Sequence, residues 1–283
     1  MKLQMTLRCP EVIVHGALVM ALIGCPSLAG AQAAAQAQPQ GDAQAQATEL
    51  AKQTQNPVSS LISFPLQANW DFGIGDREAV GTLFNIQPVV PFGITPSTNV
   101  ILRVIMPLAS QPGANGARVN GLGDVVATAF FSPVKSGRII WGAGPVFQLP
   151  AATNTALGSE KFAMGPSVVA LTQPGPWTLG LLFNHLWSTS GATDRADVNS
   201  TFLQPFVNYN LGHGLAVGAV MEATANWEAE ETCTAQLLFT VSKVAVFGRQ
   251  PVNFLVGAGP TVASPDGGAN WRFRFAGIFM FPR

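Results

Sequence analysis

The chain has 283 residues, 48% of them hydrophobic and only 11% charged, with a formal net charge of +0. An average soluble domain carries about 25% charged residues, so this chain keeps few charges in water, and its neutral balance excludes a basic nucleic-acid footprint. No uninterrupted apolar run of about 20 residues follows the N-terminal region, which excludes a membrane-spanning helix there.

The N-terminus predicts export. Lys2 and Arg8 form a positive n-region, Val12 to Ile23 a short apolar core interrupted by His15, and Ala29-Gly30-Ala31 an A-x-A cleavage site. Residues 1–31 therefore read as a signal peptide. Leu22-Ile23-Gly24-Cys25 offers a competing lipoprotein-type signal, in which Cys25 would carry lipid, but Pro26 follows it directly. Cys9 and Cys25 leave with the leader, so Cys233 stands alone in the mature chain and no intramolecular disulfide is expected.

Residues 32–57 read as an Ala/Gln-rich spacer followed by a short helix. The spacer has no core-forming pattern. Thr48 to Gln55 suits two helical turns with Thr48 as the cap, and Asn56-Pro57 stops them, because the residue before proline disfavours the α region. Two readings of this segment compete. The preferred one is a periplasmic stub, and the other is a small plug within a lumen.

From Ser60 onward an alternating pattern recurs. Ile62, Phe64, Leu66, Ala68, Trp70 and Phe72 share one face, against Ser63, Gln67, Asn69 and Asp71. The next run sets Phe84, Ile86, Val90 and Phe92 against Asn85 and Gln87. The third sets Val100, Leu102, Val104, Met106 and Leu108 against Asn99 and Arg103. A fourth sets Val125, Ala127, Ala129 and Phe131 against Asp124 and Thr128. Runs follow over 138–149, 161–172, 177–188, 199–210, 215–227, 234–246, 252–263 and 270–281. The last is the clearest: Trp271, Phe273, Phe275, Phe279 and Phe281 on one face, Arg272 and Arg274 on the other. Period-two runs of about ten residues, separated by turn chemistry, predict an all-β chain: a transmembrane, up-and-down antiparallel β-barrel over residues 58–283 with about 12 strands. A soluble β-sandwich or a lipid-carrying barrel is the competing all-β reading.

The connections support the membrane form. Those near 93–97, 132–137, 173–176, 211–214 and 248–251 are short, whereas 110–121, 150–160 and 189–197 are long, as expected for periplasmic turns and external loops. Tryptophans sort to strand ends on the apolar rows. Trp70, Trp187, Trp227 and Trp271 fall near one rim, and Trp141 and Trp177 near the other, the pattern of two membrane girdles. Pro65, Pro88, Pro107, Pro145, Pro166, Pro205 and Pro260 fall inside runs and are expected at bulges or strand ends. The repeated Gly-x-Gly-Pro at Gly142–Pro145 and Gly257–Pro260, echoed by Met164-Gly165-Pro166, reads as small residues where the wall bends.

No catalytic chemistry emerges. His15 lies in the leader and His213 in a tight turn. His185 shares the outward row of Trp187, and strand alternation puts Ser188 on the opposite face. No nucleophile motif, metal-ligand spacing or cofactor-binding motif is present, so a non-enzyme without cofactor is expected. Asn69, Gln87, Gln148, Asn184, Gln204, Asn208 and Lys243 are assigned to the lumen, with Arg103, Asp124, Glu222, Arg272 and Arg274 as the candidate constriction. These charges either lock the interior or line a narrow wet path that selects solutes by charge.

Several phrases carry a resemblance: Gln55-Asn-Pro-Val58, Asn85-Ile-Gln-Pro-Val-Val-Pro-Phe92, Gly121-Leu-Gly-Asp124, Gly144-Pro-Val-Phe-Gln-Leu-Pro150, Leu203-Gln-Pro-Phe-Val-Asn-Tyr-Asn210, Thr224-Ala-Asn-Trp-Glu228 and Gln250-Pro-Val252. From about Thr48 to Arg283 the chain resembles a bacterial outer-membrane transporter-like family, the meta-pathway phenol-degradation proteins, also mislabelled neuromedin U. Cys233 and the terminal Phe281-Pro-Arg depart from that pattern. The resemblance implies a bacterial outer-membrane β-barrel moving small aromatic or apolar molecules. It supplies no catalytic residues. The expected partners are outer-membrane lipids, a small-molecule solute and the barrel-assembly machinery, with a monomer as the working state. The expected function is a passive, porin-like channel, and the alternative is a structural or anchoring barrel with a filled lumen.

Overall fold

The computed structural model describes residues 38–113, 116–230 and 233–282. The signal-peptide and Cys25 readings lie outside the described residues. One antiparallel sheet holds every strand among the described residues, and most strands follow from an alternating run; residues 118–122, expected to fall mainly in the connection 110–121, form a further short strand. The strands are β1 (Ile62–Ile74), β2 (Ala79–Ile86), β3 (Val89–Thr95), β4 (Thr98–Pro112), β5 (Arg118–Leu122), β6 (Val125–Pro133) and β7 (Ile140–Leu149). They continue with β8 (Lys161–Thr172), β9 (Trp177–Gly191), β10 (Asn199–Gly212), β11 (Leu215–Asn226), β12 (Cys233–Phe247), β13 (Gln250–Ala263) and β14 (Trp271–Phe281).

Sequence neighbours pair with one another, and the last strand closes on the first. The β1–β14 ladder runs from Ile62↔Phe281 to Phe72↔Trp271 without a register shift. Two wall positions are each shared by two strands. β2 and β3 both lie between β1 and β4, separated at Gln87-Pro88, where proline lacks the N–H that would continue the ladder. β5 and β6 both pair with β4 and are separated at Gly123-Asp124. Counted by wall position, this is a closed barrel of 12 strands.

Closure leaves no free sheet edge, so the backbone polar groups of the wall are satisfied within it, as hydrocarbon demands. The outward rows are apolar. Phe273 and Phe275 are 39% and 42% exposed, and Phe64, Leu102, Phe131, Leu181 and Phe239 are exposed as well. No second protein layer covers them among the described residues, which excludes the sandwich. Among those residues, also, no helix is long and apolar enough to cross a membrane.

The prolines are accommodated differently from the expectation of bulges or strand ends. Only Pro88 separates two strands. Pro145, Pro166, Pro205 and Pro260 each stay in register with one neighbouring strand and interrupt the ladder on the other side. Pro145 pairs with Pro166 across β7–β8, while β6–β7 skips from Thr128↔Val146 to Phe131↔Ala143. On the far side, β8–β9 skips from Met164↔Trp187 to Ser167↔Asn184. Pro205 and Pro260 interrupt β10–β11 and β12–β13 in the same way. The preceding glycines explain the spacing. A Cβ on Gly144, Gly165 or Gly259 would collide with the carbonyl oxygen of Ala129, His185 or Leu237 on the adjoining strand. Each Gly-Pro step thus trades one missing donor for a close approach of two backbones.

A helix, α1 (Gln38–Thr54), precedes the barrel. It is longer than the two turns expected. Thr48 is not its cap: its hydroxyl donates to the Gln44 carbonyl at 3.0 Å, within the helix. Nor is the segment a free stub. Leu50, Ala51 and Leu61 are buried with Val244 of β12 and Met280 of β14. Val58 is buried against Ile101, Phe130, Val169, Leu171 and Leu182, on the opposite inner wall. Gly142 makes room for it, since a Cβ there would lie 2.8 Å from a Val58 methyl. Residues 47–61 therefore cross the barrel mouth at the end where the chain enters. Cys233 is disulfide-bonded, against expectation.

Candidate functional site

Alternation points Arg272 and Arg274 of β14 into the bore. Their partners on β13 are Gly259 and Gly257, so no side chain there obstructs the guanidiniums. They reach β11, two strands beyond β13. Arg274 Nη1 and Nη2 donate to Glu222 Oε1 and Oε2, both at 2.8 Å. Arg272 Nη1 donates to the same carboxylate at 3.2 Å. On the other side, Arg272 forms a second fork to Asp71 of β1, at 2.6 and 2.9 Å. The β1–β14 register places Asp71 opposite Arg272 and Asn69 opposite Arg274, and Arg274 Nε donates to Asn69 Oδ1 at 2.7 Å.

Further groups extend this band. Gln204 of β10 donates to Glu222 Oε1 at 3.2 Å. Across the bore, Arg103 of β4 donates to Gln87 Oε1 at 2.8 Å. Arg103 has no carboxylate within salt-bridge distance among the described residues, whereas Arg272 and Arg274 both do. Arg103, Arg272 and Arg274 thus face Glu222 and Asp71, which leaves the band one positive charge in excess. Paired charges in a confined, partly dry bore keep fixed positions, and the excess charge sets the sign of the local field.

The candidate set from the sequence resolves unevenly. Glu222, Arg272 and Arg274 come together, and Arg103 faces the same bore. Asp124 does not join them. It lies at the break between β5 and β6, where its Oδ2 accepts from the Ser159 amide and hydroxyl, both at 2.7 Å, and from Gln148 at 3.2 Å. It anchors the connection 150–160 rather than the band. Lys243 points outward, not into the lumen, and donates to the His213 carbonyl at 2.6 Å. Asp71 is the charged member of the band absent from that set. Its signal was available: it sits on the polar row of β1, which closure pairs with the arginine row of β14.

The tryptophans lie on outward rows near strand ends. Trp70 packs on Phe273 with centroids 5.7 Å apart, and Trp177 meets Tyr209 edge-on at 4.7 Å. Trp141, Trp187, Trp227 and Trp271 are exposed. His185 also faces outward, 4.0 Å from the Trp187 ring, and its Nδ1 meets Thr201 Oγ1 at 2.7 Å. Ser188 is turned the other way, donating to Asp197. Asp197 lies in the connection after β9. Its carboxyl is held below the usual value chiefly by a hydrogen bond from Lys161, helped by Ser188.

A cavity of about 200 Å³ lies between the band and the plugging segment. Arg103, Gln87 and Gln204 reach it from the wall, and Gln53 to Pro57 close it toward the chain-entry end. The bore therefore holds a charged band, a half-apolar chamber and a plug in succession.

No family model matches the chain, and no curated protein matches it. Solved structures do. The COG4313 outer membrane channel from Pseudomonas putida F1 superposes with a TM-score of 0.59 at 13% identity, covering 78% of this chain and 96% of that one. The NanC porin gives a TM-score of 0.52 at 9% identity, covering 78% and 100%. At a TM-score of 0.46 and 10% identity, outer membrane phospholipase A from Escherichia coli is more distant, covering 83% and 96%. At such identities the likeness shows the fold, and that fold is the one outer-membrane channels and porins use.

Proposed function

We propose that the chain is a passive channel for small solutes, residing as a monomer in the bacterial outer membrane and folded there by the barrel-assembly machinery. The observation that carries this reading is the band itself. Its charges are gathered at one level of the bore and are fixed to one another rather than scattered through a packed interior. Arg103, Glu222, Arg272 and Arg274, with Asp71, form the filter that ranks solutes by charge. The apolar part of the chamber lining, Val89, Phe206, Val220 and Ile278, accepts hydrocarbon, which agrees with small aromatic or apolar cargo. The six tryptophans form the membrane girdles. The chain works without catalytic residues or a cofactor.

Proteoliposome swelling tests this. Refolded protein in vesicles should admit small neutral and anionic solutes faster than cations of equal size, with a steep cutoff in size. Vesicles that stay as tight as protein-free controls for every solute would favour a structural barrel with a filled lumen.

A further inference from the structure

Arg103 differs from the other arginines of the bore. Arg272 and Arg274 have their forks filled by carboxylates. Among the described residues, the Arg103 side chain donates to the neutral amide of Gln87. A guanidinium in a confined site, hydrogen-bonded to an amide and with Glu222 acting on it only through space, still has no carboxylate in direct contact. Its planar fork fits a carboxylate in two parallel hydrogen bonds.

The space beside it has the matching shape. The cavity of about 200 Å³ is bordered by Arg103 and Gln204 on its polar side. Val89, Phe206, Val220 and Ile278 supply apolar lining, beside Ser63, Gln87 and the segment Gln53 to Pro57. Hydrocarbon interleaved with polar groups suits an amphipathic ligand, since small-molecule sites pair an apolar lining with a few orienting polar groups. The floor is the turn from Gln55 to Pro57, and Gln55 is tied to Asn210 by amide contacts of 3.0 and 3.2 Å. A solute that has passed the band therefore halts here until the floor shifts.

We propose that this chamber is a binding site for a small organic carboxylate. Arg103 takes the carboxylate, Gln204 offers a further amide, and the hydrocarbon body lies on Phe206, Val220 and Ile278. The proposal rests on the channel reading only in treating the site as a stop along the path.

Calorimetric titration of the full-length barrel in detergent micelles tests the site, with benzoate and its neutral isostere benzamide as probes and protein-free micelles as the blank. Benzoate should bind at least tenfold more tightly than benzamide. Arg103→Gln should abolish that preference, and Arg103→Lys should restore part of it. Equal binding of the two probes to the native protein overturns the proposal without any variant, as does an Arg103→Gln protein that is folded by gel mobility and keeps the preference. Planar-bilayer current separates the two ideas. A barrel that conducts but ignores benzoate removes the site and leaves the channel. A barrel that binds benzoate but passes no current removes the channel and leaves the site.

Discussion

Arg274 and Glu222 meet fork to fork across the bore, with two contacts of 2.8 Å, although β12 and β13 stand between their strands. The pair thus passes through the bore between strands three wall positions apart. Glu222 also takes Arg272, so one carboxylate holds two cations, and the band depends on it more than on any other side chain.

Glu222→Gln should therefore change both selectivity and stability. Two guanidiniums lose their shared counter-charge, and the excess positive charge of the bore grows by one. The reversal potential under a salt gradient should move toward the anion equilibrium value. Losing hydrogen bonds to a charged partner costs about 2 kcal/mol, less where the bore is wet. Thermal loss of heat-modifiable gel mobility should come several degrees earlier. An unchanged reversal potential would remove Glu222 from the path.

Arg272→Ala should act in the opposite electrical sense. It frees Asp71 and part of Glu222, and the band passes from a positive to a neutral balance. Anion preference should fall. A selectivity identical to that of the native protein would show that ions bypass this level.

The plug should limit the current. Leu50 and Val58 are 6% exposed each and grip opposite inner walls. Burying an aliphatic side chain contributes about 1.5–3 kcal/mol, so the double substitution Leu50→Ala and Val58→Ala should loosen the crossing segment while the barrel wall stays intact. Single-channel conductance or open time should rise. No change in either would place the path away from the segment.

The Gly-Pro steps should tolerate no side chain at the glycine. Gly144→Val forces a Cβ into the Ala129 carbonyl, and overpacking of this kind costs about 1–3 kcal/mol. Gly137→Val is the control, because nothing lies within 4 Å of a Cβ there. The first variant should unfold at lower temperature or denaturant than the second. Equal stabilities would contradict the close approach.

The order of the connection after β9 should depend on acidity. The Asp197 carboxyl lies below its ordinary value of 3.8 because Lys161 donates to it. A depressed folded value gives a contribution that is complete above the ordinary value and is lost as pH falls through the depressed one. Asp197 is largely exposed, so the effect is local. Protection of the amides of residues 192–198 against exchange, corrected for intrinsic rate, should fall in Asp197→Asn at neutral pH to the level the native protein reaches only in acid.

Much of the barrel was legible because its two solvents are opposite. Hydrocarbon outside and polar groups inside impose period two on β1, β4 and β14, so strand limits and facing come directly from residues such as Phe273 and Arg274. Where an apolar residue sits on the inward row and a charge on the outward one, the phase is masked. In β12, Leu238 and Val244 point inward while Phe239 and Val241 point outward, and Lys243 was accordingly assigned to the wrong face. Asp124 has lumen phase, but its partners come from the connection 150–160, which local alternation does not describe. Asp71 joins the band through closure of the first strand on the last, a long-range pairing. The plug was hidden for a similar reason. Val58 and Leu50 carry no strand or membrane signature, and their burial depends on walls contributed by residues far along the chain.

Single-channel recording of the native protein in a planar bilayer, under a potassium chloride gradient, tests the channel reading most directly. Discrete conductance steps with a reversal potential displaced toward chloride are expected, as the excess charge of Arg103, Arg272 and Arg274 over Glu222 and Asp71 requires. Correctly folded, membrane-inserted protein that leaves the bilayer electrically silent would contradict it.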